Sequence, residues 1–171
     1  MDNIKVLFDE KNLQDRIKEI AKKIDNEYDG EEIIVVSVLK GAVIFTVDLV
    51  KNMKTPLELE FVQISSYKGT ESTGNIIVKK DLEKDIEGKN ILIVEDIVDS
   101  GRSLKYLKEY FLSKNPKSVK IVVLLDKKER REVNINVDYV GYEIPNKFVV
   151  GYGLDIDEKL RNLPYIGYIE D

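Results

Sequence analysis

Apolar residues near the amino terminus are spaced three and four positions apart, with charged residues between them. This spacing predicts an amphipathic helix over residues 9–26, with Asp9 as its N-cap. Two further helices are predicted, one over residues 42–52 and one after Ser103 that Asn115-Pro116 stops near residue 114. The apolar face of the first helix consists of Leu13, Ile17, Ile20, Ala21 and Ile24.

Nearly unbroken apolar runs mark the predicted strands. Those at 33–39, 90–96 and 119–125 have the composition of parallel strands covered on both faces. Leu57, Leu59 and Phe61 alternate with glutamates in a half-exposed strand, and shorter stretches lie at 76–79, 137–142 and 148–152. Strands that alternate with helices predict an α/β fold with an open, mostly parallel sheet. Ligands bind such sheets beyond the carboxyl ends of the strands.

The composition restricts the chemistry available to an active site. The 171 residues include no His and no Cys, which excludes Ser-His-Asp and Cys-His catalysis, disulfides and ordinary structural zinc. Any bound metal should be an oxygen-preferring cation such as Mg²⁺. The 32 acidic residues outnumber the 27 basic ones, which argues against a nucleic-acid partner. Without a signal-like or membrane-spanning stretch, we expect a single cytoplasmic domain with no membrane partner.

A dense group of polar residues follows the predicted strand at 90–96. A chain that turns from a strand into a helix at a glycine directs several backbone N–H groups at one point, which favours phosphate binding. Carboxylates beside such a site would repel phosphate unless they contact sugar hydroxyls or hold Mg²⁺, so the group indicates a phosphorylated sugar. The alternative is a solvated Ser-Gly turn with Asp99 as a helix N-cap. The residues of the group are Glu95, Asp96, Asp99, Ser100, Gly101, Arg102 and Ser103.

Residues 93–103 resemble the phosphoribosyl-pyrophosphate motif of the type I phosphoribosyltransferases. Segments 39–42, 66–74 and 148–155 are similar to motifs of the 6-oxopurine branch of that family. The resemblance implies a mostly parallel sheet flanked by helices, with a core over about 9–140. A small hood would form from both terminal segments, including about 141–171, and a flexible lid from residues 65–74. These parts together make one domain over residues 1–171.

The resemblance also implies a reaction. It is the Mg²⁺-dependent transfer of a phosphoribosyl group from phosphoribosyl pyrophosphate to hypoxanthine or guanine, giving IMP or GMP and pyrophosphate. Asp99 would be the base that takes a proton near the purine N7. Lys127 would donate a hydrogen bond to the 6-oxo group, which disfavours adenine. Phe148 would stack on the purine, and a homodimer or homotetramer is implied.

Three sets of binding residues follow from the same resemblance. The implied phosphoribosyl-pyrophosphate site comprises Lys40, Gly41, Ser66, Tyr67, Glu95, Asp96, Asp99, Ser100, Gly101, Arg102, Ser103 and Arg161. The implied purine site comprises Lys127, Phe148, Val149 and Asp155. The implied Mg²⁺ ligands are Glu95, Asp96 and Asp155. A cis peptide at Leu39-Lys40 is implied as well.

Each of these residues has a plainer interpretation when the resemblance is set aside. Lys40-Gly41 is typical of an ordinary strand-to-helix turn, Lys127 of a solvated surface residue and Phe148 of an apolar strand. The 65–74 segment is also typical of a surface loop. Two other functions remain as hypotheses, a nucleotide-sensing regulator of the same fold that binds RNA or DNA, and a flavodoxin-like signalling domain.

Overall fold

The computed structural model of the chain describes residues 4–66 and 76–169. Nine strands and three α-helices alternate over this range. In chain order they are β1 (Ile4–Phe8), α1 (Glu10–Tyr28), β2 (Ile33–Leu39), α2 (Val43–Asn52), β3 (Leu57–Ser66), β4 (Ile76–Lys80), β5 (Asn90–Val98), α3 (Arg102–Leu112), β6 (Ser118–Asp126), β7 (Tyr139–Glu143), β8 (Val149–Val150) and β9 (Ile166–Ile169).

The main sheet has six strands in the order β4-β3-β2-β5-β6-β7. All neighbouring pairs are parallel except β3 and β4, which pair antiparallel at one edge. The predicted α/β fold with a mostly parallel sheet is therefore confirmed. The three β-branched runs form adjacent strands in the middle of this sheet, β2, β5 and β6.

Each central strand is buried on both of its faces. In β5, Leu92 and Val94 pack into the hydrophobic cluster that contains α1 and α2. Ile91 and Ile93 point the other way, into the cluster that contains the buried face of α3. Because successive side chains of a strand alternate between faces, a strand between two helical layers needs apolar residues at every position.

The first helix begins as its sequence predicts. Asp9 is the N-cap, and its carboxylate accepts a hydrogen bond from the backbone N–H of Asn12 at 2.7 Å. The helix continues two residues beyond the predicted end, to Tyr28, because the Tyr28 ring is buried against the core. The second and third helices match their predictions to within a few residues.

The terminal segments form a small second sheet in the order β1-β9-β8, which the sequence did not predict. Ile4 pairs with Ile169 and Phe8 with Ile166. Strands this short carry a weak periodic pattern, and β1 and β9 lie more than 150 residues apart in the sequence. The Phe8 ring stacks at 3.9 Å on that of Tyr142. The division into core and hood stays a prediction.

Two predicted boundaries were wrong. Ser65 and Ser66, expected in a loop, belong to β3, where they pair with Ile77 and Ile76. The strand predicted over 148–152 is reduced to β8, because Gly151 takes a positive φ of 94° and ends it. The rest of the predicted lid, residues 67–74, lies outside the described residues.

No helix within residues 4–66 and 76–169 is both long enough and apolar enough to cross a membrane.

Candidate active site

The carboxyl ends of three neighbouring strands bring the predicted site residues to one edge of the main sheet. Lys40 and Gly41 follow β2, Asp99 follows β5, and Lys127 follows β6. The N–H of Lys127 donates a hydrogen bond to the carbonyl of Val98 at 3.0 Å, so the ends of β5 and β6 stay in register. The Leu39-Lys40 peptide is cis, as implied.

Residues 99–101 connect β5 to α3, and together with the first two residues of α3 they are called here the 99–103 loop. Gly101 is the N-cap residue of α3 with a φ of 82° and, having no side chain, accepts no N–H of the first turn. The Ser100 hydroxyl accepts a hydrogen bond from the N–H of Arg102 at 3.3 Å. A cavity of about 200 Å³ is lined by residues 95–101 together with Ser103 and Leu104. Uncapped N–H groups at a helix N-terminus attract anions, so this loop can hold a phosphate.

Asp99 is not the N-cap of α3, so that alternative is wrong. Its carboxylate is half exposed and lies 3.8 Å from the ammonium of Lys127 and 3.7 Å from the guanidinium of Arg130. The side chain of Lys127 is buried, although a solvated lysine was the plainer expectation. The Asp99 carboxylate and the buried Lys127 therefore form a polar pair at the carboxyl ends of β5 and β6.

Glu95 and Asp96 are partly buried at the end of β5. The Asp96 N–H donates to the Glu95 carboxylate at 3.0 Å, and the Ile97 N–H donates to the Asp96 carboxylate at 2.6 Å. Burial and the neighbouring Asp96 charge raise the pKa of Glu95 well above its usual range, and burial raises the pKa of Asp96 as well. Two carboxyl groups that are costly to ionise together favour a bound cation.

The donor set fits Mg²⁺ bound with substrate. Over the part of the chain that the structure describes, no three acidic side chains converge to hold a metal ion. Magnesium commonly takes one or two carboxylates and completes its coordination with water and substrate phosphates. The predicted ligands Glu95, Asp96 and Asp155 are compatible with this arrangement and stay a prediction.

Gly41 lies between Asp96 and the carboxyl-terminal segment. A Cβ atom on Gly41 would come within 1.8 Å of the Asp96 carboxylate. A Cβ atom on Gly153, whose φ is 102°, would come within 2.1 Å of the Gly41 carbonyl oxygen. Only glycine fits at position 153, where the backbone of Gly41 is in direct contact, and a side chain at position 41 would have to displace the Asp96 carboxylate. The close approach brings residues 151–154, called here the Gly153 loop, onto the end of β2.

Two cations, Lys40 and Arg161, share one carboxylate beside this contact. Glu158 lies 2.6 Å from the Lys40 ammonium and 3.2 Å from the Arg161 guanidinium. Arg161 also pairs with Asp155 at 3.0 Å and donates to the Gly153 carbonyl at 2.8 Å. The hydrogen bond from Lys40 lowers the pKa of Glu158. Both cations, predicted from distant parts of the sequence, thus meet at one carboxylate.

The predicted purine residues divide between the main sheet and the small sheet. Val149 lies in β8 and is buried, whereas the adjacent Phe148 ring is 56% exposed and offers a free face. Asp155 accepts a hydrogen bond from the N–H of Glu158 at 2.9 Å in addition to its pairing with Arg161. Ser66 ends β3, and Tyr67 lies outside the described residues.

Comparison with known proteins identifies the family. A family model described as the phosphoribosyl transferase domain matches residues 3–157. The chain belongs to the phosphoribosyltransferase family. It is 51% identical to a hypoxanthine-guanine phosphoribosyltransferase of Aquifex aeolicus, over 98% of this chain and 96% of that protein. The expected family resemblance is therefore confirmed.

A solved structure and a longer relative extend this result. The fold matches a crystal structure of a hypoxanthine phosphoribosyltransferase from Staphylococcus aureus with a TM-score of 0.94 and 44% identity, covering 99% of this chain and 93% of that one. The chain is also 50% identical to a Listeria monocytogenes bifunctional protein TilS/HprT over 97% of its own length. It spans only 26% of that longer protein.

Three residues beside the site were not predicted to have a role: Glu158, and Tyr152 and Gly153 of the 148–155 motif. Tyr152 donates a hydrogen bond to Asp48 of α2, which holds the Gly153 loop against the core. An Asp-Glu pair in a charged stretch is typical of solvated surface, so composition alone did not distinguish Glu158. The glycine at 153 was the usable signal, since a second glycine two residues after Gly151 indicates a close backbone approach.

Proposed function

We propose that this phosphoribosyltransferase salvages purines by moving the phosphoribosyl group of phosphoribosyl pyrophosphate onto hypoxanthine or guanine in the presence of Mg²⁺. The products are IMP or GMP and pyrophosphate. The observation that carries the proposal is the ammonium of the buried residue Lys127, 3.8 Å from the Asp99 carboxylate, next to the N-terminus of α3, whose N-cap is Gly101. This arrangement would place a base, a donor to an oxygen and a phosphate site close together at the carboxyl end of β5.

The 5′-phosphate would bind the 99–103 loop. The N-cap residue of α3 is a glycine that supplies no side-chain acceptor to the first turn, and the hydroxyls of Ser100 and Ser103 add donors. Arg102 is exposed and pairs with Glu132 at 2.6 Å, so its backbone rather than its side chain serves the loop. A phosphate at this place is stabilised by the helix dipole and by several N–H donors at once.

The ribose and the leaving group would bind on the other side of Gly41. Glu95 and Asp96 face the cavity and suit the ribose hydroxyls and Mg²⁺, which would neutralise charge on the leaving pyrophosphate. Lys40 and Arg161 supply two positive charges for the same group. Gly41 lets the backbone approach without a side chain between Asp96 and the ligand. Loss of the pyrophosphate leaves positive charge on the sugar, as in glycoside cleavage.

Proton transfer and base selection would rest on Asp99 and Lys127. As the purine nitrogen gains a bond to the sugar, a carboxylate within hydrogen-bond reach can take the proton from N7. Lys127 has only donors, so it pairs with a 6-oxo group and leaves the 6-amino group of adenine without an acceptor. The exposed Phe148 ring offers a stacking face for the purine.

The remaining parts of the proposal concern assembly and location. We expect a homodimer or homotetramer, and a mostly apolar depression on α2 lined by Val43, Ile44, Val47 and Asp48 supports self-association. Size-exclusion chromatography with light scattering tests this expectation. We expect the enzyme in the cytoplasm, because its diphosphate substrate is too charged to cross a membrane unaided.

The test is a spectrophotometric turnover assay with phosphoribosyl pyrophosphate and Mg²⁺, offering hypoxanthine, guanine, xanthine and adenine in parallel. Turnover of hypoxanthine or guanine but not adenine is the expected result, and removal of Mg²⁺ with a chelator should abolish it. Turnover of adenine would contradict the assigned role of Lys127. Binding of the phosphoribosyl donor without turnover of any base would favour a nucleotide-sensing regulator.

A further inference from the structure

Glu158 neutralises the two cations assigned to the leaving group. Its two carboxylate oxygens divide between the Lys40 ammonium at 2.6 Å and the Arg161 guanidinium at 3.2 Å. Lys40 follows β2 and Arg161 follows the Gly153 loop, so one carboxylate joins two segments 121 positions apart in the chain. A carboxylate that bridges two cations resembles, in charge and spacing, one end of a diphosphate.

The backbone around Glu158 is held in a left-handed conformation that residues other than glycine rarely adopt. Asp157, Glu158 and Leu160 have φ values of 50°, 64° and 72°. Left-handed residues of this kind are unfavourable and persist where surrounding contacts hold them. Two contacts do so here, the hydrogen bond from the Glu158 N–H to Asp155 at 2.9 Å and the reciprocal pair between Ile156 and Lys159. The turn therefore presents Glu158 toward the cations.

Glu158 is nevertheless free to move away. Its side chain is 64% exposed, and that of Lys40 is 56% exposed. Exposed ion pairs are weak and exchange readily with solvent and other ions. A multiply charged diphosphate carrying Mg²⁺ would outcompete a single carboxylate for the same two cations.

We propose that Glu158 is an internal counter-ion that occupies Lys40 and Arg161 while the diphosphate is absent and is displaced when it binds. This inference rests on the proposed function, because it takes those two cations as the diphosphate site. Glu158 is a positioning residue here, since it keeps both cations ordered without touching the reacting atoms. By competing for them, it lowers the affinity for the substrate diphosphate and for the product pyrophosphate alike.

The test compares two variants that remove the same charge one residue apart. Glu158→Gln keeps the size of the side chain and the left-handed backbone but weakens both ion pairs. Asp157→Asn is the matched control, because in the described part of the chain Asp157 is exposed and forms no ion pair. Isothermal titration with pyrophosphate, with and without Mg²⁺, measures the dissociation constant of each protein. Circular dichroism and thermal melting establish that both variants fold.

Glu158→Gln should bind pyrophosphate about 3- to 10-fold more tightly than the unmodified protein, the range expected when one or two exposed ion pairs cease to compete. Its affinity for hypoxanthine and that of Asp157→Asn for pyrophosphate should be unchanged. The Michaelis constant for phosphoribosyl pyrophosphate should fall in Glu158→Gln while kcat changes less.

Three results would overturn the inference. Weaker pyrophosphate binding by Glu158→Gln would mean that Glu158 is a direct ligand of the diphosphate or its metal. Equal tightening in both variants would reduce the effect to net charge, and no change in Glu158→Gln would show that the carboxylate does not compete. Failure of the proposed function is separate and is visible in the unmodified protein, as absence of oxopurine turnover.

Discussion

Two helix N-termini of this protein are built in opposite ways. At α1, Asp9 lies in extended backbone and its carboxylate accepts the Asn12 N–H, so the helix satisfies its own first turn. At α3, the N-cap is Gly101 in left-handed backbone, which has no side chain to accept an N–H, and the Ser100 hydroxyl accepts only the Arg102 N–H, at 3.3 Å. The first N-terminus is optimised for stability, whereas the second leaves its donors available to an anion at the expense of stability. The N–H groups of the first helical turn thus contribute to stability at α1 and stay available for ligand binding at α3.

The largest effect should come from changing the carboxylate beside the uncapped helix. Asp99→Asn removes the proposed base but keeps the shape of the side chain, so kcat should fall by roughly 10²- to 10⁴-fold with little change in binding of phosphoribosyl pyrophosphate. Steady-state kinetics and titration of the donor measure the two quantities. The same chemical change at the other helix, Asp9→Asn, should leave kcat unchanged because Asn caps as well as Asp. Unaltered turnover in Asp99→Asn would remove it as the base.

Gly101→Ala tests the backbone of the uncapped helix. An alanine at this position would have to adopt the positive φ of 82°. Its Cβ atom would lie 3.0 Å from the Arg131 side chain and 3.1 Å from that of Ile135. Unfolding free energy should fall by about 1–3 kcal/mol, and the phosphoribosyl donor should bind more weakly.

Gly30→Ala is the matched control for this backbone effect. Gly30 has a φ of 84°, but a Cβ there would meet no atom within 4 Å. The Gly30→Ala variant should therefore lose about 1 kcal/mol of unfolding free energy, the cost of the positive φ alone. Its affinity for the phosphoribosyl donor should be unchanged. Urea unfolding of both variants separates the two contributions. Equal loss of donor affinity in both variants would show that the 99–103 loop has no special role.

Asp9→Ala tests the self-capped helix. Loss of the 2.7 Å hydrogen bond to Asn12 should lower the free energy of unfolding by about 1 kcal/mol without changing kcat. Thermal unfolding measures the stability loss, and Asp9→Asn should restore it. A drop in kcat equal to that of Asp99→Asn would mean that the two helix ends do not differ in function.

The smallest effect is expected at the far end of α1 and depends on pH. Hydrogen bonds from Lys120 and Tyr139 lower the pKa of Glu27 below its usual range. A lowered carboxyl pKa contributes stability above the unfolded pKa of about 4.3, and this stability is lost as the pH falls through the folded pKa. Glu27→Gln should therefore be less stable at pH 7 by under about 1 kcal/mol, because the pair is half exposed.

The melting temperatures of Glu27→Gln and the unmodified protein, measured from pH 7 to pH 3, check this sign. Their difference should shrink toward zero in acid, where Glu27 itself becomes neutral. A difference that grows in acid would contradict the assignment of the ion pair.

Much of the main sheet was predictable because its signal is local. The runs that became the middle of β2, β5 and β6 are nearly unbroken apolar stretches, and Asp9 precedes its helix at the standard capping position. The motif at 95–103 could be recognised for the same reason. Its acidic residues, glycine and hydroxyls lie close together in the sequence, and their order indicates a site for a phosphorylated sugar. The β1–β9 pairing was missed because both strands are short and lie at opposite ends of the sequence.

The sequence by itself determined the alternation of strands and helices, the absence of His and Cys chemistry, and the contiguous residues of the 99–103 loop. Only the tertiary structure decided that Gly153 touches Gly41, that Lys127 is buried beside Asp99, and that Glu158 joins Lys40 to Arg161. The physical reason is the separation along the sequence over which each kind of interaction acts. Hydrophobic periodicity and capping act over a few residues, whereas these contacts depend on how parallel strands align their carboxyl ends and how the last segment of the chain folds back over them.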